Sequence, residues 1–485
     1  MSWLWLALGT ALLPWITAQT VIPLAGWLAP LFLLRFLRTQ RRAVGLPLIL
    51  IANVVAQLVS IRDGFIPVPP GIELYGIVVA MASVLSLGYV ADAFIAPRLD
   101  GLVRTLVFPC ASVATEWLLS LVSPYGVFGT MAYSQSGNLV LLQLVSLTGV
   151  WGLTFVMTWG AAVANAVWER PSERGGVAPY VAAMAAILLF GGIRLAFLPP
   201  SGATVLVAAL APRRELSDAL SAADLHLSRA TTQQREAGRD RYLDPLNADL
   251  FARTREAARG GAKLVAWAEA AAYVLVEDEP QLIASAQALA RDESIYLQIA
   301  YIAIRAAEEF PLVENRAVLV EPSGTVAWRY DKSKPVPGDG HLPGPGIIPT
   351  VDTPFGRWAT IICFDADFPS LVRQVGRARA DVLLVPSSDW QTVAETHARM
   401  ATFRALENGV ALVRPTRQGV SLAVDHQGRS LGYKADYFVA DTQTMVTSVP
   451  TRGVGTLYAR IGDSVAYLSA LGLFWLGGLA GLRRR

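Results

Sequence analysis

Long apolar segments dominate the first 200 residues of the chain and return once near its end. Segments of about 20 residues, the length that an α-helix needs to cross a bilayer, lie at 20–37, 43–61, 74–96, 102–123, 138–168, 178–198 and 462–481. A shorter run at 3–17 lacks the basic start and the small-residue cleavage site of a signal peptide, so we count it as a further helix. The pattern predicts eight membrane-spanning helices.

Arginines recur in every second connection between these segments, and cytoplasmic loops are known to concentrate Lys and Arg. With a cytoplasmic N-terminus, the inner connections and the tail carry Arg35, Arg38, Arg41, Arg42, Arg98, Arg104, Arg170, Arg174, Arg483, Arg484 and Arg485. The outer connection 62–73 has one arginine beside Asp63 and Glu73, and the outer connection 124–137 has no charge. The polar part of the chain that follows the seventh segment is therefore predicted to be extracytoplasmic.

That polar part alternates between two kinds of segment. Short β-rich runs at 204–209, 263–267, 317–321 and 381–385 alternate with amphipathic stretches at 245–260, 279–291 and 393–407. Such alternation is typical of a layered α/β domain. We predict a transmembrane bundle of about seven helices at 1–199, an α/β domain at 200–455, and a C-terminal transmembrane helix with a basic cytoplasmic tail at 456–485.

Composition agrees with a membrane component, because 53% of residues are hydrophobic and only 16% are charged, against about 25% charged in soluble domains. The net charge of +3 is not gathered into a basic stripe, so no nucleic-acid partner is expected. Two cysteines, Cys110 and Cys363, provide neither a disulfide framework nor a cysteine-based zinc site. His397 has no apparent ligand partners in the sequence and is interpreted as structural, so no metal and no cofactor is predicted.

Cys363 is the first candidate for a catalytic residue. It lies in the sequence GRWATIICFDADFP, where 358–362 reads as a buried strand and Asp365, Asp367 and Pro369 mark a turn into a helix. A turn between a strand and a helix exposes such a side chain, which favours a nucleophile. The alternative is a small buried hydrophobe, a common role for a free cysteine.

Glu269 and Lys332 also follow strand-like segments. Glu269 ends KLVAWAE, where a carboxylate after mostly apolar residues is poorly placed for simple solvation and suits a general base. Lys332 lies in WRYDKSKPVPGDG. The alternatives are an exposed loop glutamate and a solvated turn lysine.

Taken together, Glu269, Lys332 and Cys363 resemble the catalytic Glu, Lys and Cys of the nitrilase superfamily, which occur in this order. The segments EWLLS at 116–120, YSQ at 133–135, LLQLVSLTGVWGLTF at 141–155 and RALENGVALVRPTRQGVS at 404–421 resemble the apolipoprotein N-acyltransferase family, over about residues 100–450. The resemblance implies a nitrilase-like αββα sandwich beside the multi-span helical bundle. Glu116 matches the family's EWL, and we interpret it as a helix-packing residue.

The resemblance also implies a reaction. The family transfers an acyl chain from a phospholipid to the N-terminal amine of a diacylglyceryl-cysteine lipoprotein, in two half-reactions. A phospholipid donor, a lipoprotein acceptor, contact with membrane lipid and residence in the inner (plasma) membrane are expected on that basis. Glu269 would act as the base, Cys363 as the thioester-forming nucleophile, and Lys332 would stabilise the anionic intermediate.

Several positions depart from the family pattern. The chain has WAE instead of WPE at 267–269, CFD instead of a cysteine, aromatic and glutamate at 363–365, and PVPGDG instead of LVPFGE at 335–340. The last change places Gly340 where the family has an essential glutamate, with Asp339 one position away. We regard Trp267, Asp339, Phe364 and Asp365 as possible supporting residues.

Two other functions remain open at this point. A membrane-tethered carbon–nitrogen hydrolase, or amidase, would use the same three residues with water as the acceptor. A catalytically inert lipid-binding scaffold is favoured by the altered PVPGDG loop. A transporter is disfavoured, because the apolar segments contain few charges and no paired interrupted helices of the kind that form a midplane site.

Overall fold

The computed structural model describes residues 2–17, 20–61, 71–171, 174–223, 227–306 and 312–483. The chain divides into two compact units. One comprises Met1–Pro199 together with Ile461–Arg485, and the other comprises Pro200–Arg460. The first unit is helical, and the second is built on β-sheets.

Apolar helices make up the first unit. Its helices up to residue 199 are α1 (Ser2–Leu12), α2 (Pro14–Thr17), α3 (Pro23–Arg38), α4 (Arg42–Ser60), α5 (Ile72–Ile95), α6 (Gly101–Thr105), α7 (Val107–Val122), α8 (Leu139–Leu142), α9 (Val145–Thr148), α10 (Val150–Glu169) and α11 (Val177–Phe197). Within the described residues, six helical segments are long and apolar enough to cross a membrane: Arg42–Ser60, Ile72–Arg98, Gly101–Val122, Val150–Glu169, Val177–Phe197 and Ser464–Leu482.

The sequence-based count of eight spans is two above that number. The predicted segment 3–17 is divided into α1 and α2, because Pro14 lacks the N–H that would continue the first helix. Segment 20–37 forms α3, which has 16 residues. Segment 138–168 is interrupted at Gly149, whose φ of 64° is left-handed, so only α10 reaches spanning length there. Most of the predicted connection 62–73, and Arg484 and Arg485, lie outside the described residues.

Several polar side chains inside this unit are paired with one another. Arg38 donates two hydrogen bonds to Asp92, at 2.7 and 2.9 Å, and Arg104 pairs with Glu169. Glu116 accepts hydrogen bonds from the Met131 backbone N–H at 3.0 Å and from the Thr154 hydroxyl at 2.7 Å. These contacts join separate helices and agree with the helix-packing interpretation of Glu116.

Strands and helices alternate in the second unit, as the sequence pattern predicts. The strands are β1 (Thr204–Leu210), β2 (Leu264–Trp267), β3 (Ala272–Leu275), β4 (Tyr296–Ile304), β5 (Val313–Val320), β6 (Val326–Asp331), β7 (Thr350–Thr353), β8 (Gly356–Thr360), β9 (Val382–Leu384), β10 (Ser387–Ser388), β11 (Ala411–Arg414), β12 (Thr416–Arg417), β13 (Ser421–Val424), β14 (Ser430–Lys434) and β15 (Thr444–Pro450). The helices are α12 (Arg214–Ala222), α13 (Thr232–Gly238), α14 (Asp244–Arg259), α15 (Glu279–Asp292), α16 (Pro369–Arg377), α17 (Ala394–Asn408) and α18 (Leu457–Ile461), and α19 (Ser464–Leu482) follows in the helical unit.

Two large sheets organise these strands. The first has the order β15-β1-β2-β4-β5-β6, with β3 paired to β4, and the second has the order β14-β13-β11-β9-β8-β7. The central strands β1, β2 and β4 are parallel, as are β8, β9 and β11. Because the carboxyl ends of parallel strands meet at one edge, residues that follow β2, β8 and β9 can converge although they are far apart in sequence.

The core has the layers of an αββα sandwich. Side chains of both sheets, among them Val207, Leu264, Trp358, Leu384 and Val413, pack between the sheets. Helices α14 and α15 cover the outer face of the first sheet, and α16 and α17 cover that of the second. The predicted fold class is therefore confirmed, whereas the side of the membrane on which this unit lies remains a prediction.

Candidate active site

Glu269 follows β2 and is buried, with 3% of its surface exposed. Its Oε1 accepts hydrogen bonds from Lys332 Nζ at 2.7 Å and Asn315 Nδ2 at 2.7 Å, and its Oε2 accepts one from the Ser388 backbone N–H at 2.8 Å. Burial by itself would raise the pKa of Glu269, but the ammonium of Lys332 and its hydrogen bond outweigh burial and hold the pKa below its usual value. The resting group is a carboxylate in a fixed orientation.

Lys332 comes directly after β6 and is 2% exposed. Its backbone is held on both sides, because its N–H donates to Asn315 at 2.9 Å and its carbonyl accepts from Gly344 at 2.8 Å. Burial by itself would lower the pKa of Lys332, but the Glu269 carboxylate raises it above its usual value. Lys332 is therefore a fixed positive charge inside the unit.

Cys363 lies three residues beyond the end of β8, at the turn that the sequence predicts. Its φ of 44° is in the left-handed region, its backbone N–H donates to Pro386 at 2.9 Å, and its Sγ lies 3.5 Å from the Ser388 carbonyl. Burial and then the Glu269 carboxylate raise the pKa of the thiol well above its usual value, against the opposing charge of Lys332. The resting sulfur is therefore a neutral thiol beside a carboxylate and an ammonium.

Ser388 connects Glu269 to Cys363. Its N–H binds Glu269 and its carbonyl accepts from the Cys363 thiol. The residue lies in β10, which follows β9 as Cys363 follows β8, so the polar SSDW sequence after 381–385 could have indicated its position. Asn315 lies within β5 and gives no comparable signal.

The four possible supporting residues are placed differently. Asp365 accepts from the backbone N–H groups of Ile362 and Lys334, at 2.9 and 2.7 Å, and from the Tyr330 hydroxyl at 2.7 Å. It therefore ties the Cys363 turn to the segment that carries Lys332, and burial raises the pKa of Asp365 to about 6 despite these hydrogen bonds.

Phe364 is buried and packs edge-on against Phe368, with ring centroids 5.5 Å apart. The Asp339 side chain is 40% exposed, and its carboxylate is one of the charges that raise the pKa of Lys332. Trp267 faces the helix side of its sheet, where its indole N–H donates to Thr254 at 2.9 Å. Because strand side chains alternate between faces, Trp267 supports the strand and does not enter the site.

A second group of buried charges adjoins Cys363. Asp389 accepts from Arg414 at 2.8 and 3.0 Å and lies 2.9 Å from His397 Nδ1. One ligand-type atom each of Cys363, Asp389 and His397 lies within 4.8 Å of the others. This carboxylate partner of His397 could not be recognised in the sequence, because folding brings α17 against the segment that follows β9. The Asp389 carboxylate is already engaged by Arg414, so this group is a charge network in the structure.

Strained backbone conformations occur at and near the residues of this site. Of five non-glycine residues with positive φ in the described chain, three are Ala270 (50°), Cys363 (44°) and Gln418 (53°). Each costs about 1–2 kcal/mol for a residue with a Cβ. Arg417 donates to the Ala270 carbonyl at 3.1 Å and to the Tyr273 hydroxyl at 2.6 Å, so its guanidinium holds the turn that follows Glu269.

Two protein families match this chain. The carbon-nitrogen hydrolase family matches residues 183–461, more than half of the chain, and the apolipoprotein N-acyltransferase N-terminal domain matches residues 58–163. An apolipoprotein N-acyltransferase of Geobacter metallireducens is 26% identical over 453 residues, which cover 86% of this chain and 82% of that protein. Apolipoprotein N-acyltransferase 2 of Treponema pallidum is 26% identical over 425 residues, covering 76% and 75%.

Among solved structures, an amidase from Nesterenkonia sp. is 19% identical, with a TM-score of 0.39, and the likeness covers 55% of this chain and 96% of the amidase. The family matches extend over both units of the chain, since one lies among the apolar helices and the other includes the αββα sandwich. The chain therefore belongs to the carbon–nitrogen hydrolase family, and over most of its length it is similar to apolipoprotein N-acyltransferases.

Proposed function

We propose that this protein acylates the N-terminal amine of a lipoprotein, with a phospholipid as the acyl donor and a thioester on Cys363 as the intermediate. The observation that carries the proposal is the convergence of Glu269, Lys332 and Cys363, which follow three different strands and meet in one buried site. The names of the relatives support the acceptor, and the apolar helices support a lipid donor.

In the first half-reaction, the Glu269 carboxylate takes the proton from the Cys363 thiol while Sγ attacks the ester carbonyl carbon of the phospholipid. The carbonyl oxygen becomes an oxyanion, which the Lys332 ammonium stabilises. The ester C–O bond then breaks, and the lysophospholipid alkoxide takes the proton from Glu269. The products are an acyl-thioester and a lysophospholipid.

In the second half-reaction, the amine of the lipoprotein attacks the thioester carbon, and Glu269 takes a proton from the attacking nitrogen. The C–S bond breaks, an amide forms, and the sulfur recovers the proton. Because the Cys363 pKa is raised and the Glu269 pKa is lowered, proton transfer between them is unfavourable at rest. Coupling the transfer to attack on a bound acyl group overcomes this difference, and free thiolate does not accumulate.

Intact-mass measurement of the full chain tests this mechanism. Incubation with phospholipid vesicles should add one fatty acyl mass, and tryptic mapping should place it on Cys363 and leave Cys110 unmodified. A diacylglyceryl-cysteine peptide should then remove the adduct and become acylated. Loss of the adduct to water at the same rate without the peptide would identify a hydrolase, and no adduct at all would favour the scaffold.

The location of the sandwich outside the cytoplasm is a further part of the proposal. It is supported by the arginines that recur in alternate connections. A reporter fused after residue 485 should be cytoplasmic, and one inserted near residue 230 should be extracytoplasmic. The reverse pattern would contradict the proposed membrane topology.

A further inference from the structure

A groove of about 620 Å³ opens on the sandwich unit, away from the site around Cys363. The end of α16, the link from Arg379 to Asp381 that enters β9, and the segment 453–460 line it. It therefore lies at the amino end of β9. Cys363 follows the carboxyl end of β8, which is parallel to β9, so the groove and the thiol are at opposite edges of the sheet.

Three arginines, Arg377, Arg379 and Arg460, are the only basic side chains of the groove, and all three are exposed. None of them forms an ion pair within the described residues. The one carboxylate of the lining, Asp381, accepts hydrogen bonds from the backbone N–H groups of Arg357 at 2.7 Å and Gly453 at 2.8 Å. The lining of the groove therefore carries three positive charges and one negative charge.

Three other arginines of the unit are paired. Arg213, Arg255 and Arg305 each lie within 3.1 Å of a carboxylate oxygen. An unpaired group of guanidinium ions repels itself in the absence of an anion. The trio in the groove is arranged as a binding surface for negative charge.

The backbone at Arg379 supports this interpretation. Arg379 has a φ of 52°, just beyond the end of α16, where Arg379 N–H donates to Gly376 and Ala380 N–H donates to Val375. Glycine is the residue usually found at such a left-handed helix end, because it carries no Cβ. Arg379 instead keeps a strained backbone conformation, and its side chain lines the groove.

We propose that this groove binds a phosphate group, and specifically the head-group phosphate of a phospholipid. Guanidinium groups recognise phosphate oxygens through paired, charge-assisted hydrogen bonds. In the sequence, only Ile461, Gly462 and Asp463 separate Arg460 from α19, which is long and apolar enough to cross a membrane. Phospholipid phosphates are the anions concentrated where such a helix leaves the bilayer. The site is independent of acyl transfer at Cys363.

Thermal unfolding of the full chain in a phosphate-free maltoside detergent tests the site. Two probes are added separately at matched ionic strength: dihexanoylphosphatidylglycerol below its micelle concentration, and inorganic phosphate. The lipid should raise the Tm of the natural protein. The triple variant R377Q/R379Q/R460Q should bind the lipid ~10-fold or more weakly, because it loses three charge-assisted contacts. The control R229Q/R241Q/R259Q removes the same charge from exposed positions elsewhere on the unit and should respond like the natural protein.

The single variant Arg379→Gly separates binding from folding. It relieves the left-handed strain and should raise the Tm without ligand, while its response to the lipid should fall. An equal rise in Tm with the lipid for the two triple variants would refute the proposed binding site. Protection by inorganic phosphate without protection by the lipid would overturn the head-group assignment.

Discussion

Replacement of Glu269 by glutamine gives the sharpest test of the proposed chemistry. The carboxylate accepts from Lys332 and Asn315 on one oxygen and from the Ser388 N–H on the other. Glutamine has the same shape but only one acceptor, so in either orientation its NH₂ group faces a donor. The substitution also leaves the Lys332 ammonium buried without its counter-charge.

Two separate losses follow. Removal of a positioned general base should slow both acylation of Cys363 and release to the amine by about 10²–10⁴-fold, which corresponds to roughly 3–5 kcal/mol of barrier. Breaking the buried ion pair by removing one partner should lower the free energy of unfolding by ~3–5 kcal/mol. Single-turnover acylation, followed by intact mass, and thermal unfolding measure the two losses independently.

Glu279→Gln is the matched control. Glu279 is also a buried carboxylate in an ion pair, at 2.8 Å from Arg316, and Arg316 and Asn315 are adjacent in β5, so their side chains face opposite sides of the sheet. This control should lose comparable stability and keep its acylation rate. Acylation by Glu269→Gln within tenfold of the natural protein would refute the base assignment, and an equal loss in the control would assign the defect to folding.

Four further outcomes are expected. Cys363→Ser should fold normally and lose both the acyl adduct and acyl transfer to the amine, because the serine hydroxyl is far less acidic than the thiol. Full acyl transfer by this variant would refute the assignment of Cys363 as the nucleophile. Lys332→Met should raise the pKa of the Cys363 thiol further and shift its alkylation by iodoacetamide to higher pH, and an unchanged pH profile would show that the two groups are not coupled. Because the pKa of Asp365 is raised to about 6 in the folded protein, its stabilising contribution is fully present below its unfolded pKa and is lost as pH rises through about 6. Asp365→Asn should therefore lower the free energy of unfolding more at pH 4 than at pH 8, as measured by thermal unfolding. A loss of stability independent of pH would contradict this. Arg417→Met should release the Ala270 carbonyl and lower kcat more than it raises KM, with partial recovery in Arg417→Lys, and equal kinetics of all three forms would remove its positioning role.

Local sequence pattern was enough to predict three of the residues that meet in the candidate site. Glu269, Lys332 and Cys363 each come at the polar end of a strand-like segment, and hydrophobic periodicity is a property of neighbours in sequence. The same holds for the apolar helices and for the alternation that defines the αββα sandwich. Departures from periodicity, such as Pro14 and Gly149, also act locally, although their effect on the number of spanning helices became clear only in the structure.

Contacts between distant positions were decided by the tertiary structure alone. Lys332 meets Glu269 across 63 positions, and Ser388 meets Glu269 across 119. Asn315 gave no signal because a polar residue inside a strand has many uses, and His397 gave none because its partner Asp389 is placed by the packing of α17 against the second sheet. Left-handed backbone at Ala270 and Cys363 is likewise invisible in the sequence, since residues with a Cβ adopt it only where the surrounding fold outweighs its cost.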